Sequence, residues 1–149
     1  MKIVLQRVKQ ASVEVGGNVV GKIGQGICLL VGIEKGDSED DAQYLAKKVV
    51  ELRIFPDKEG KMNLCLQDVK GEALVVSQFT LVGSVRKGRR PSFDKAETPE
   101  KAEMLFQYFV DFIRQRQIKV ETGVFQAMME VHLVNDGPVT FVLQSKESY

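Results

Sequence analysis

The chain opens with alternating apolar and polar residues and then gives way to an unbroken apolar run, and that change constrains its fold most. Ile3, Leu5 and Arg7 fall on one face of a first strand, with Val4, Gln6 and Val8 on the other. Ala11, Val13 and Val15 continue the alternation to Gly16-Gly17-Asn18, a tight hairpin signal, after which Val19 to Ile23 returns as a second strand. Residues 27–33, Ile-Cys-Leu-Leu-Val-Gly-Ile, do not alternate and read as a strand covered on both faces. A sheet with such a strand at its centre needs an apolar layer on each side.

Two segments can supply helical cover. Asp37 or Ser38 caps the first, Glu39, Asp40 and Asp41 suit its positive end, and Ala42, Leu45, Ala46 and Val49 form its stripe. The second has Thr98 as cap and Pro99 at its first position, with Ala102, Leu105, Phe106, Phe109 and Ile113 inward. Between them, residues 52–72 read as short strands and turns around Pro56-Asp57 and Gly60-Lys61. Ala73 to Ser77 is a buried strand that runs into Gln78-Phe79-Thr80-Leu81, and residues 83–97 form a polar loop. Strands are expected near 120–125, 129–134 and 139–144, with Asn135-Asp136-Gly137-Pro138 joining the last two. Strands and helices do not alternate regularly enough for a doubly wound sheet. The expectation is an α+β fold in one domain, residues 1–149. Its mixed or antiparallel sheet is partly closed into a barrel, with two main helices packed on one side in β/β/α layers.

A chain of 149 residues buries about 70% of its unfolded surface, so its core needs no disulfide or metal staple. Lys and Arg number 21 against 20 Asp and Glu, a net charge of +1, so only local clustering can attract an anionic partner. Two cysteines, Cys28 and Cys65, without CxxC spacing suggest a reducing cytosol. Gln6 and Arg7 interrupt the apolar start before a signal core forms. The run Ile27–Ile33 is far short of the roughly 20 residues of a membrane helix. The expected setting is cytoplasmic, away from membranes. One histidine and no Cys/His cluster argue against a metal site, and no cofactor is expected.

Common catalytic motifs are absent: no GxxxxGK, no GxGxxG and no GxSxG. His132, between Val131 and Leu133, reads as a surface or sheet-edge residue. Cys28 lies in the apolar strand, and no sequence neighbour of Cys65 would lower its pKa. Three places stand apart. At Ser77-Gln78-Phe79-Thr80 a buried strand ends in polar groups around one aromatic, without a turn signal until Gly83. In Asn135-Asp136-Gly137-Pro138, proline follows glycine at a strand start, which fixes the backbone, removes a donor and allows a cis peptide. Arg86, Lys87, Arg89 and Arg90 put four positive charges into five residues of a loop, a patch suited to phosphates or to a solvated surface.

Ser77-Gln78-Phe79-Thr80 together with Asn135-Asp136-Gly137-Pro138-Val139-Thr140 closely resembles the D-aminoacyl-tRNA deacylase family, formerly called D-tyrosyl-tRNA deacylases. Gln6-Arg7-Val8, Arg53-Ile54-Phe55, Lys61-Met62-Asn63-Leu64, Arg90-Pro91-Ser92-Phe93 and Thr122-Gly123 with Phe125 are similar to family positions too. The resemblance implies hydrolysis of the ester between a D-amino acid, or glycine mischarged on tRNA-Ala, and the terminal ribose of tRNA. It implies a homodimer with shared sites in which Gly137 and Pro138 of one chain enter the partner's pocket and reject L-amino acids. Ser77, Gln78, Phe79 and Thr80 would form the floor, with Arg7, Phe125 and Met129 lining or bracing the pocket. Arg86, Lys87, Arg89 and Arg90 would meet tRNA near its 3′ acceptor end. DNA is not an expected partner, and no metal is expected in the reaction.

Overall fold

The computed structural model describes residues 1–146. Its elements in chain order are β1 (Lys2–Val15), β2 (Asn18–Ile23), β3 (Gly26–Gly32), α1 (Glu39–Glu51), β4 (Phe55–Pro56), β5 (Met62–Leu64), β6 (Glu72–Ser77), a 3-10 turn (Phe79–Val82), α2 (Pro99–Arg114), β7 (Val120–Thr122) and β8 (Glu130–Gln144). The hairpin at Gly16-Gly17 pairs β1 with β2, while the first half of β1 pairs antiparallel with β3. β6 lies parallel to β3, and β7 parallel to β6, giving the order β2-β1-β3-β6-β7. A Cβ built on Gly21 of β2 would sit 2.8 Å from the Thr122 carbonyl oxygen of β7. The sheet therefore curls until its ends almost meet, and only a bare Cα fits at the seam. The mixed sheet, nearly closed into a barrel with two helices, is as expected.

β3 is covered on both faces. Ile27, Leu29 and Val31, with Ala73 and Val75 of β6, pack against Leu45, Ala46 and Val49 of α1 and Phe106, Phe109 and Ile113 of α2. The alternate residues Cys28, Leu74 and Val76 point into the barrel, against Val8, Ala11, Val13 and Ile23. β1 serves both cores: Ile3 and Leu5 belong to the helix side, while Ala11 and Val13 belong to the barrel side. A register irregularity between Val8 and Gln10 changes which parity of β1 faces inward.

One expected connection is absent. Residues 130–134 and 139–144 are not two strands joined by a turn but one strand, β8, antiparallel to β1 throughout. Gln6 pairs with Thr140 and Val8 with Asn135, so the residues from Asp136 to Val139 face the single residue Arg7 and stand out from the ladder as a bulge. Asn, Asp, Gly and Pro favour a reversal and a bulge alike, and pairing with β1 decides between them.

Candidate active site

A cleft of about 630 Å³ opens where the parallel strands β3 and β6 end and α2 begins. Its walls include Val31 near the end of β3 and Ile33 just past it, Ser77 at the end of β6 with Gln78 to Thr80 beyond, Glu97, Ala102 and Phe106 on the helix side, and Phe125 to Met129 ahead of β8. The carboxyl ends of parallel strands are where backbone groups and loops converge in α/β sheets, and this sheet follows the same rule.

The polar strand end is held in place by backbone bonds. Gln78 N–H donates to the Val31 carbonyl at 2.8 Å, and the chain then turns in a 3-10 coil. Gly32 makes room for it, since a Cβ there would lie 3.0 Å from both the Gln78 carbonyl oxygen and Leu81 Cβ. Leu81 N–H is the first to bond within the turn, to the Gln78 carbonyl at 3.2 Å, so the N–H groups of Phe79 and Thr80 have no partner in it. Gln78 Nε2 donates to Thr80 Oγ1. That partner is an amide, which cannot take the hydroxyl proton. Glu97 contributes a carboxylate to the wall. The Thr98 N–H holds its carboxyl below the ordinary range, with Lys101 adding to the effect against the opposing burial.

The bulge is clamped from inside. The buried Arg7 donates through Nε to the Asp136 carbonyl at 3.0 Å and through a terminal nitrogen to the Ile54 carbonyl at 2.7 Å. Asn135 spans the bulge, accepting from Val139 N–H at 2.7 Å and donating to Thr140 Oγ1 at 3.0 Å. The Gly137-Pro138 peptide is cis, and both residues are exposed. They do not line the cleft of their own chain. Of the expected pocket residues, Phe125 and Met129 are on its wall, whereas Arg7 is a brace beneath the bulge.

The basic segment is tied at its base, where Ser84 and Ser92 exchange backbone hydrogen bonds of 2.8 and 2.9 Å and Arg86 N–H donates to Ser84 Oγ at 3.4 Å. Arg86, Lys87, Arg89 and Arg90 are all exposed. Phe93, just beyond, meets Phe79 edge-on with ring centres 5.0 Å apart, so the loop adjoins the cleft floor. His132 points away from the cleft, 3.8 Å from Glu14 and from Glu130, and is the surface residue it was expected to be. Cys28 is fully buried, and desolvation pushes its thiol up to about 11, which removes it as a nucleophile.

The family model for D-Tyr-tRNA(Tyr) deacylase matches residues 4–144. The D-aminoacyl-tRNA deacylase of Geobacter sp. (strain M21) is 59% identical over 145 residues, covering 97% of each chain. That of Caldicellulosiruptor saccharolyticus is 55% identical over the full length of both.

The chain belongs to the D-Tyr-tRNA deacylase family.

It is thus a D-aminoacyl-tRNA deacylase, a hydrolase of the aminoacyl ester. Among solved structures, one titled c-Myc DNA Unwinding Element Binding Protein superposes with a TM-score of 0.92 at 41% identity, over 99% of this chain and 100% of that one. A probable eukaryotic D-amino acid tRNA deacylase shares the fold, with a TM-score of 0.82 at 18% identity, over 95% of this chain and 97% of that one. In this deacylase the fold brings Ser77–Thr80, Phe125 and Met129 to one cleft from segments distant in sequence. It adds roles the sequence did not assign: Asn135 as clamp, Phe93 against Phe79, and Ala102 and Phe106 as an α2 wall. Ala102 and Phe106 carried a signal, the inward stripe of α2. Phe93 and Asn135 lie in segments that resemble the family, but the resemblance gave neither a partner.

Proposed function

We propose that each active site of this deacylase is completed by a second copy of the chain, whose Gly137-Pro138 bulge enters the cleft and rejects L-aminoacyl esters. The observation that carries this reading is a mismatch: the bulge is braced by Arg7 and Asn135, yet it contributes nothing to its own cleft. A backbone held that firmly and left exposed is suited to a geometric filter for a neighbour's site. β8 pairs with β1 along one edge only and leaves Phe141 and Val142 exposed, the latter by 70%, an edge and surface suited to pairing between copies. Two-fold symmetry would supply both sites by one contact.

The chemistry asks little of acid–base groups, because an aminoacyl ester is already activated. N–H groups of Phe79 and Thr80 can receive the developing oxyanion, a term of about 3–4 kcal/mol per donor. Thr80 has an amide donor beside it rather than a base, which favours a positioning role over attack. Water then adds to the ester carbon with help from the ribose 2′-hydroxyl. The carbon–oxygen bond to the ribose breaks, and the ribose oxygen leaves with a proton. Glycine, which has no side chain to reject, passes the same filter, so glycyl-tRNA is a second substrate. The Arg86–Arg90 loop contacts tRNA phosphates near the acceptor end, and tRNA rather than DNA is the polyanion served. No helix among the described residues is long and apolar enough to cross a membrane. We place the reaction in the cytoplasm, where aminoacyl-tRNA is made.

The test compares D-aminoacyl-tRNA, its L counterpart, glycyl-tRNA and a free D-amino-acid ester, with and without exhaustive chelation. Expected are rapid cleavage of the D and glycyl substrates, survival of the L form, poor use of the free ester, and no effect of chelation. Equal rates on both enantiomers would remove the filter, and activity lost on chelation and restored by zinc would remove the metal-free mechanism.

A further inference from the structure

Among the described residues, three other than glycine have a left-handed backbone: Lys70 (φ 54°), Gln117 (φ 61°) and Gln126 (φ 67°). Two have ordinary explanations as chain terminations. Lys70 N–H closes a turn on Gln67 just before Gly71, and Gln117 N–H bonds the Arg114 carbonyl just past α2. Gln126 ends no helix. It is the third residue of a turn that Ala127 N–H closes on the Val124 carbonyl at 3.1 Å. Positive φ at that position is the province of glycine or asparagine. Glutamine has a Cβ that glycine lacks, and a side chain too long for the local bonds that ease asparagine into this conformation.

The unfavourable residue stands at the cleft. Gln126 lines it between Phe125 and Ala127, and is itself exposed. Met128, also on the wall, is 91% exposed, and Phe79 across the floor is 59% exposed, so apolar faces lie open beside the amide. Strained backbone that persists at the mouth of a site points to a use for the side chain it carries.

We propose that Gln126 is a specificity residue whose amide reads the edge of an adenine at the 3′ end of the aminoacyl-tRNA. A carboxamide offers one acceptor and one donor side by side, the complement of adenine N6–H2 and N7. The exposed Met128 and Phe79 give the base apolar surfaces to lie against, as single-stranded bases do on aromatic platforms. Backbone strain is then tolerated because the amide discriminates between bases. The inference rests on the reading that the acceptor end occupies this cleft.

Two hydrolysis-resistant probes test it: an adenosine carrying a D-amino acid through a 3′-amide, and its inosine counterpart, which presents a carbonyl in place of the amino group. Each is assayed as a competitor of D-aminoacyl-tRNA hydrolysis with the full chain. The wild type should bind the adenosine probe about 10-fold more tightly than the inosine probe, the scale of one good bidentate base contact. Gln126→Gly should lose that preference while its Tm rises by about 2–4 °C, since glycine accepts the turn freely. Gln126→Ala should lose the preference without the gain in Tm. A preference that survives Gln126→Gly, or equal competition by both probes in the wild type, overturns the role of Gln126 and leaves the cleft assignment standing. Competition by neither probe overturns the cleft assignment itself, and the proposal with it.

Discussion

Two glycine-containing segments, the bulge of β8 and the basic loop beside the cleft floor, are built in opposite ways. The Asp136–Val139 bulge is fixed from within, by Arg7, which bonds the Asp136 carbonyl and is anchored on the Ile54 carbonyl, and by the Asn135 amide, which reaches across to Val139 N–H and Thr140 Oγ1. Among the described residues, the Arg86–Arg90 loop is pinned at its base, where Ser84 meets Ser92 and holds Arg86 N–H, and its cations are exposed to solvent. On the proposed reading the bulge rejects a mirror-image substrate, a task that depends on fractions of an ångström and that its internal bonds would serve. Holding a polyanion depends on charge and reach, which rigidity would not improve. On that reading, local order follows the tolerance of each proposed task rather than the turn residues in and around both segments.

The largest effect expected from breaking this contrast is at Arg7. Arg7→Ala leaves the Ile54 and Asp136 carbonyls without their donor and should cost about 2–4 kcal/mol. Denaturant titration measures that loss. At temperatures where the variant stays folded, L-aminoacyl-tRNA should become a substrate. Arg7→Lys should not rescue, because an ammonium cannot reproduce two bonds set by a planar fork.

Alkaline pH should destabilise the fold through Cys28, which points into the barrel. Cys28 pairs with Gln6, the neighbour of Arg7 in β1. Its thiol is raised by burial from an ordinary 9.0 to about 11. The unfolded chain therefore loses this proton first, so the stabilisation is complete below pH 9 and is lost as pH rises through 11. The whole effect is about 2–3 kcal/mol. Cys28→Ala should lack this alkaline component, which denaturant titrations from pH 8 to 11 would detect.

The loop should respond through salt instead. Arg89→Ala with Arg90→Ala should raise KM for D-aminoacyl-tRNA several-fold and lower the slope of log KM against log salt by about 1–2, because fewer counterions are released. Tm and the D/L ratio should not move. An unchanged salt slope would make the loop a solvated surface.

Much of this was legible in the chain itself. The unalternating run at Ile27–Ile33 implied two-sided burial of β3, and the Thr98-Pro99 start of α2 stands where its cap chemistry put it. The continuity of β8 through Asn135–Pro138 is not legible locally, because turn propensity is blind to the pairing of residues 130–144 with β1. The family resemblance gave Arg7 a lining or bracing role, but not its partner, since the contact with Asp136 spans 129 positions. Gln126 gave no signal at all: a left-handed turn announces itself in sequence through glycine or asparagine, and here neither is present.

The shared site is the central claim, and mixed dimers test it most directly. One variant is altered at Gln78 and Thr80, the other at Gly137 and Pro138, and each alone should be inactive or lose chiral discrimination. When they are unfolded and refolded together, random pairing makes half of the dimers mixed. In each mixed dimer, the chain with intact Ser77–Thr80 receives an intact Gly137-Pro138 from its partner. D-selective deacylation should therefore return on mixing, at about a quarter of the wild-type sites. Sites contained within single chains would each keep one lesion, and mixing that restored nothing would contradict the account.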